Sequence, residues 1–292
     1  LKMTTGNIKY QFAKLSVAEK LIVVNAAVFI VNGLITLLFQ ANPDMLVQWF
    51  QLPKDFFDFL MQPWSLVTYS FFHGGLGHIF WNMLVLFYVG RIFLNLFNGR
   101  RFLNVYFLGV ILGGLFFMVG YNVFPAFFTV NAALIGASAG VRAILIFICA
   151  YLPNQEVRLI FFNLKLWYLG AFIVVMDLVQ LSMGMNPGGN FAHIGGALLG
   201  YVYATQLLKG RDIGEGFSKL VDGIANLFKK TEKKAPMKTV YKSTKTKTTD
   251  KSYKKESHQR QIDAILDKIS KSGYESLSKA EKDFLFQAGK ED

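Results

Sequence analysis

Residues 102–122 read FLNVYFLGVILGGLFFMVGYN, twenty-one positions without a charge. At about 1.5 Å per residue, a helix of that length spans the roughly 30 Å hydrocarbon core of a bilayer, and it has no polar face to turn to water. Five further predominantly apolar runs lie at 21–39, 73–97, 134–152, 166–184 and 191–208, three of them carrying one charge each. Together they predict an all-α, polytopic membrane helical bundle of six transmembrane helices. The first run could pass for a secretory signal. Asn32 and Gly33 lead into more apolar residues without an A-x-A cleavage pattern, so it reads as retained.

Composition points the same way. Of the 292 residues 53% are hydrophobic and 17% charged, against roughly 45–50% and 25% in soluble domains. Residues 1–208 carry 17 of the 50 Asp, Glu, Lys and Arg, and 209–292 carry the other 33, which divides the chain into a membrane part and a water-exposed tail. An ordinary soluble enzyme, a disordered chain, a disulfide-rich secreted domain and a DNA-binding domain are all poor fits, the last despite a net charge of +12. A single cysteine, Cys149, sits in an apolar run, so no internal disulfide and no cysteine-based metal site is expected. Neither a metal nor a cofactor is called for.

Basic residues set the orientation. Lys2, Lys9, Lys14 and Lys20 precede the first run, Arg91, Arg100 and Arg101 flank the second-to-third connection, and Arg158 and Lys165 flank the fourth-to-fifth. The alternate connections are nearly bare. Both termini are therefore expected in the cytoplasm of a bacterial inner membrane, a setting with which the short N-terminal segment and the lack of an organelle-targeting presequence agree. The aromatic-rich connection 40–72, with Trp49, Phe56, Phe57 and Trp64, reads as an anchor in the outer interface.

Polar residues inside spans are costly, and each is a functional candidate. With the topology above, the second, fourth and sixth runs all descend from the outer face. His78 and Asn82 then lie in the first third of the second, Ser138 about a turn into the fourth, and His193 within a turn of the start of the sixth. All four fall within roughly 5–15 Å of the outer boundary. A serine beside a histidine is the minimum for nucleophilic catalysis, the imidazole taking the hydroxyl proton as the oxygen attacks a carbonyl. His78 and Asn82, four apart, share a helix face and can aim donors at one developing oxyanion. Singly, each has a blander reading: a membrane serine bonds its own i−4 carbonyl, and a membrane histidine bridges helices. Their shared depth favours the catalytic one.

The run His73-Gly74-Gly75-Leu76-Gly77-His78-Ile79-Phe80-Trp81-Asn82 resembles the H-x4-H-x3-N motif of the rhomboid intramembrane serine proteases. Gly136-Ala137-Ser138-Ala139 is similar to their G-x-S-x nucleophile motif, and Ala192-His193-Ile194-Gly195-Gly196-Ala197-Leu198-Leu199-Gly200 to their A-H-x-x-G-x-x-x-G span. The resemblance, over about residues 20–208, implies a Ser138–His193 dyad without a third carboxylate. Ser138 would be the nucleophile and His193 the general base. The oxyanion hole would be the Ser138 backbone N–H with the side chains of His78 and Asn82, and His73 would be a structural donor holding the outer loop. It also implies that the substrates are transmembrane segments of other proteins, which must unwind before their amides can be reached. Gly136 and the pair Gly196 and Gly200 permit close approach, the latter bringing the sixth span against the fourth.

Three positions depart from the family pattern. Ser65 follows Trp64 where many relatives have Arg, and Phe93 stands where many have Glu; a cost in stability is expected at both. Arg142 lies one turn below Ser138, where relatives often carry an aromatic. Its guanidinium either pairs with Asp177 of the fifth span, the favoured reading, or lies on or near His193.

Beyond the spans, 209–230 reads as an amphipathic helix on the inner membrane surface, 231–257 as a basic disordered linker attracted to anionic lipid, and 258–292 as a small helical hairpin with a Ser278-x-x-Glu281 capping box. The hairpin is expected to dock on a protein partner, on itself or on the membrane, and His258 stands alone in a polar stretch. Nucleic acid is not an expected partner, because the lysine run lacks arginines and stacking aromatics. The domain order is thus 1–20 cytoplasmic segment, 21–208 protease domain, then these three. Two rival classes remain. One is a catalytically weak or inactive rhomboid-like protein that binds transmembrane helices, for which Arg142 speaks; the other is a small transporter, which would need an internal repeat that the chain lacks.

Overall fold

The computed structural model describes residues 5–40, 42, 44–159, 162–227 and 251–288. The chain forms two compact units, 1–229 and 230–292. In the first, α1 (Thr5–Lys14) leads to α2 (Val17–Phe39), whose start is fixed by a capping box: Ser16 N–H donates to Glu19 Oε2 at 2.7 Å and Glu19 N–H to Ser16 Oγ at 3.2 Å. The aromatic connection folds into α3 (Asp44–Phe50), β1 (Leu52–Pro53), α4 (Phe56–Met61), α5 (Ser65–Thr68) and a 3₁₀ turn, Tyr69–Phe71. Then come α6 (Leu76–Leu96), α7 (Gly99–Val123), β2 (Ala133–Leu134), α8 (Ser138–Tyr151), β3 (Glu156–Leu159), β4 (Phe162–Lys165), α9 (Leu166–Ser182), α10 (Pro187–Leu208) and α11 (Glu215–Leu227).

Helices α2, α6 and α7 are each long and apolar enough to cross a membrane, and α8 and α9 are shorter apolar helices. Leu37, Leu38 and Phe39 at the end of α2 are 71–76% exposed, which water would not tolerate in so apolar a row. The protein is a membrane-embedded helical bundle.

The structure is not purely helical. β1 pairs antiparallel with β2, Leu52 opposite Leu134 and Pro53 opposite Ala133, and β3 pairs with β4 in the connection before α9. Several helix limits also differ from expectation. Because Leu134 is held in the β pair and Gly136 adopts a φ of +122°, the fourth helix begins at Ser138 instead of 134. Ser138 thus heads α8 rather than lying a turn inside it. The second helix begins at Leu76, leaving His73 in the loop before it. The sixth begins at Pro187, capped by Asn186, so His193 lies almost two turns in.

The centre of the bundle is a backbone-to-backbone contact. Ala139 and Ala143 of α8 lie between Gly109 and Gly113 of α7 on one side and Gly196 and Gly200 of α10 on the other. A Cβ on Gly113 would come within 2.8 Å of the Ala192 carbonyl oxygen, so α10 meets α7 and α8 backbone to backbone, and the methyls of Ala139 and Ala143 fill the seam between α7 and α8. Phe93 is fully buried, its ring 4.9 Å from that of Phe147 and 5.0 Å from that of Phe97, so aromatic packing ties this end of the bundle. Ser65 is fully buried, and its hydroxyl has no hydrogen-bond partner.

At the end of α10, Arg101 of α7 grips Asp212 at 2.8 Å, Tyr203 and the Gly214 N–H bond the same carboxylate, and Arg100 pairs with Asp222 of α11. Burial pushes the Asp212 carboxyl up, but the donors from Tyr203 and Arg101 outweigh it and leave it below the ordinary carboxylate range. Asn104 bonds Ser218 at 2.8 Å. These contacts hold α11 by its polar side and leave Leu220, Val221, Ile224 and Leu227 exposed.

The second unit contains α12 (Lys251–Ser272), a 3₁₀ turn and α13 (Lys279–Ala288). Helix α12 starts seven residues earlier than the hairpin was expected to, because a lysine-rich stretch without apolar periodicity still has good helix propensity. Most of the expected linker lies outside the described residues. Ser278 and Glu281 form the capping box, Lys268 pairs with Glu281 at 2.9 Å, and Ile265 and Leu277 are buried. His258 is not alone: its ring lies 4.7 Å from that of Phe284.

Candidate active site

The nucleophile candidate is positioned by the segment before it. Gly136 N–H donates to the Tyr69 carbonyl at 3.0 Å, and the Tyr69 hydroxyl donates to the Val110 carbonyl of α7 at 2.7 Å. Ala137 N–H donates to His73 Nε2 at 3.4 Å, which ties His73 to the segment before Ser138. The 52–53/133–134 pairing fixes the same segment from its other end. The first bond of α8 runs from Val141 N–H to the Ala137 carbonyl, which leaves the Ser138 N–H ahead of the helical ladder.

Ser138, His193, His78, Asn82 and Arg142 all line one cavity of about 660 Å³, together with Trp81, Tyr121 and residues 186–189 before α10. His78 packs against the backbone of Gly136, and its Nδ1 accepts the Gly74 N–H at 3.4 Å. Asn82 is almost fully buried; its Nδ2 donates to the His78 carbonyl at 2.9 Å, leaving one amide hydrogen uncommitted. A chamber lined by a hydroxyl, imidazoles and N–H donors has the parts for acyl transfer.

Arg142 Nη2 lies 3.0 Å from Asp177 Oδ1, and the same oxygen lies 3.0 Å from His193 Nδ1. The two alternatives for Arg142 are thus joined: it pairs with Asp177 and, through that carboxylate, stands beside His193. Sequence reasoning missed the contact between Asp177 and His193. Depth alone put Asp177 near Arg142, but which side chains share an oxygen depends on how α9 and α10 turn toward each other. It also missed Tyr69 and the β pair, whose two-residue strands lie some 80 positions apart and carry no local signature. Among the described residues no group of three His, Cys, Asp or Glu could hold a metal ion.

A model of the rhomboid domain matches residues 60–210, and a family of unknown function matches 247–290. The chain is 26% identical over 158 residues to the mitochondrial RHOMBOID-like protein 12 of Arabidopsis thaliana, an alignment covering 50% of this chain and 47% of that protein. It is 27% identical over 149 residues to the human mitochondrial presenilin-associated rhomboid-like protein, covering 50% and 38%. Against RHOMBOID-like protein 4 of Arabidopsis thaliana it is 29% identical over 149 residues, covering 50% and 34%. The chain thus spans less than half the length of these curated relatives. With the rhomboid domain extending over half of its residues and enclosing the Ser138–His193 cavity, the chain belongs to the rhomboid family.

Proposed function

We propose that the protein is an intramembrane serine endopeptidase that hydrolyses peptide bonds in or near transmembrane segments of other membrane proteins. The observation that carries this reading is the single cavity shared by Ser138, His193, His78 and Asn82. In the reaction, Ser138 Oγ bonds to the carbonyl carbon while its proton passes to His193 Nε2. The Ser138 N–H, the His78 ring and the Asn82 amide stabilise the oxyanion. His193 then returns the proton to the leaving amine as the C–N bond breaks, and water hydrolyses the acyl-enzyme with His193 again as base.

In this reading α2, α6, α7, α8, α9 and α10 are the six spans, with both termini in the cytoplasm of a bacterial inner membrane. The basic residues before α2, around Arg100 and Arg101, and at Arg158 and Lys165 support that orientation. The outward-turned apolar row of α11 supports contact with the inner membrane surface, and the lysine-rich stretch after it would add attraction to anionic lipid. The 258–292 hairpin would serve as a docking module for a protein partner.

Labelling by a fluorophosphonate probe in native membranes tests the reading. Labelling of wild type that Ser138→Ala and His193→Ala each abolish supports it; labelling that survives both substitutions, or none at all in folded wild type, sinks it. The second reading is an inactive relative that binds transmembrane helices. It rests on Arg142, a charge one turn below the nucleophile, and predicts that Arg142→Tyr labels where folded wild type does not.

A further inference from the structure

We infer that Asp177 is a positioning residue for His193, so that a buried carboxylate on the fifth span completes a Ser138–His193–Asp177 arrangement with Arg142 as its counter-charge. The inference rests on the hydrolase reading above and deepens it.

Three observations carry it. Asp177 Oδ1 lies 3.0 Å from His193 Nδ1, a normal hydrogen-bond length between a carboxylate and a ring nitrogen. A carboxylate accepts and cannot donate, so the bond puts the imidazole proton on Nδ1 and leaves the lone pair on Nε2, the form a general base for Ser138 requires. The second observation is how poorly the ion pair is built as a structural tie. An arginine and a carboxylate fastened for stability meet through two parallel bonds. Here Arg142 reaches only Oδ1, while Asp177 Oδ2 and Arg142 Nε are buried with no hydrogen-bond partner. One oxygen serves both donors, and His193 is the second. The third is position. Asp177 is one of three buried residues of α9, with Leu166 and Gly170, and its side chain is only 3% exposed. Burying an ionised group so completely is costly, and replacing both members of a buried ion pair by apolar residues of similar volume is often neutral or stabilising, so stability alone does not account for the pair. Arg142, 3.0 Å away, is the counter-charge to that buried carboxylate.

The contact also gives the imidazolium a partner. When the Ser138 proton arrives on Nε2, the positive charge on the ring develops 3.0 Å from Asp177, which offsets the unfavourable nearness of Arg142.

The test separates positioning from folding. Full-length protein in native membranes is titrated with a fluorophosphonate, in which the Ser138 Oγ–P bond forms, the P–F bond breaks, the proton goes to His193 and fluoride leaves. The concentration dependence gives probe binding and the rate of the chemical step separately. The variants are Asp177→Asn, Asp177→Glu and the double variant Arg142→Met/Asp177→Asn, which removes both buried charges and so strands neither. The expected result is a double variant that melts and binds probe as wild type does, yet reacts at least about tenfold more slowly, up to the ~10⁴-fold seen when a triad loses its carboxylate. Asp177→Glu should react faster than Asp177→Asn. A double variant that reacts at the wild-type rate, or equal rates for Asp177→Glu and Asp177→Asn, overturns the positioning role alone. Wild type that shows no Ser138-dependent labelling overturns the hydrolase reading and this inference together.

Discussion

A methyl group on Gly136 would stand 2.7 Å from Nε2 of His78, closer than any unbonded carbon and nitrogen rest. The ring of His78 is therefore wedged against the backbone two residues before Ser138, and the absence of a side chain at 136 sets where that ring lies. Gly136 also has a φ of +122°, which an L side chain rarely adopts.

Gly136→Ala should consequently displace the His78 ring and strain the entry to α8 at once. We expect the fluorophosphonate rate to fall about 10²-fold, the scale for loss of one oxyanion donor. The diagnostic is non-additivity. In Gly136→Ala/His78→Ala the loss should hardly exceed that of the worse single variant, because both act through one ring. Losses that multiply would refute the coupling.

Gly196 and Gly200 serve a different purpose. A Cβ on Gly200 would lie 2.9 Å from the Phe147 nitrogen and one on Gly196 2.9 Å from the Ala139 carbonyl carbon, both backbone atoms that no rotamer change can move. Gly196→Val and Gly200→Val should each destabilise by about 3 kcal/mol or more, at or above the upper end for overpacked cores. Gly33 of α2 has open space around its Cβ position, so Gly33→Ala should be neutral or stabilise by up to about 1 kcal/mol. Thermal unfolding in detergent ranks the three; equal melting temperatures for all would refute the close-contact account.

The same residues show which parts of the molecule the sequence made legible. Four-residue spacing puts His78 and Asn82 on one helix face, and the depth expected from the alternation of basic connections grouped them with Ser138 and His193, which line one cavity with them. The glycine pairs were legible as close-packing faces, though not that Ala139 and Ala143 would be enclosed by two such pairs. Helix limits failed where non-local pairing overrode local pattern, as at Leu134, whose apolar run continues a helix until Leu52 claims it. The Asp177–His193 contact failed for another reason: three residues on three helices share one oxygen, and only the rotation of α9 decides it.

Arg142 and Asp177 should differ in their effect on stability. Asp177→Asn leaves a guanidinium stranded beside an imidazole with no counter-charge, whereas Arg142→Met leaves Asp177 its bond to His193. Removing one partner of a buried pair costs about 3–5 kcal/mol when the remaining charge has no other partner. Asp177→Asn should therefore lower the melting temperature more than Arg142→Met does. The reverse order would mean that the carboxylate, not the guanidinium, is the charge in need of a partner.

Helix α11 should loosen in acid. Asp212 sits outside the spans, and its carboxyl is held below its ordinary value of 3.8 by donors from Tyr203 and Arg101 that outweigh the effect of burial. A depressed folded value means that the stabilisation is fully present above the ordinary value and is lost as pH falls through the folded one. Hydrogen exchange across 215–227 should stay slow down to about pH 4 and accelerate below it. Asp212→Asn should show the acceleration at neutral pH; unchanged exchange in that variant would mean that Arg100–Asp222 and Asn104–Ser218 suffice.

In the second unit the clasp between α12 and α13 makes a separable prediction. Glu281 is pushed down to about 2, first by the Ser278 backbone N–H that donates to its carboxylate at 2.7 Å, then by Lys268. Its ordinary value is 4.5, so its contribution to the fold is complete above that pH and disappears progressively between about 4.5 and 2. Exchange of the amides in 279–288 should therefore rise through this interval in the full-length protein. Glu281→Gln can still accept the Ser278 N–H but loses the charge, so its exchange should be faster at neutral pH and flat across the interval. The two contributions are separable by salt. The Lys268 pair is exposed and weakens with ionic strength, whereas the capping bond is a local contact that salt screens little. If salt alone abolished the difference between wild type and Glu281→Gln, the lysine and not the cap would be what fastens α13.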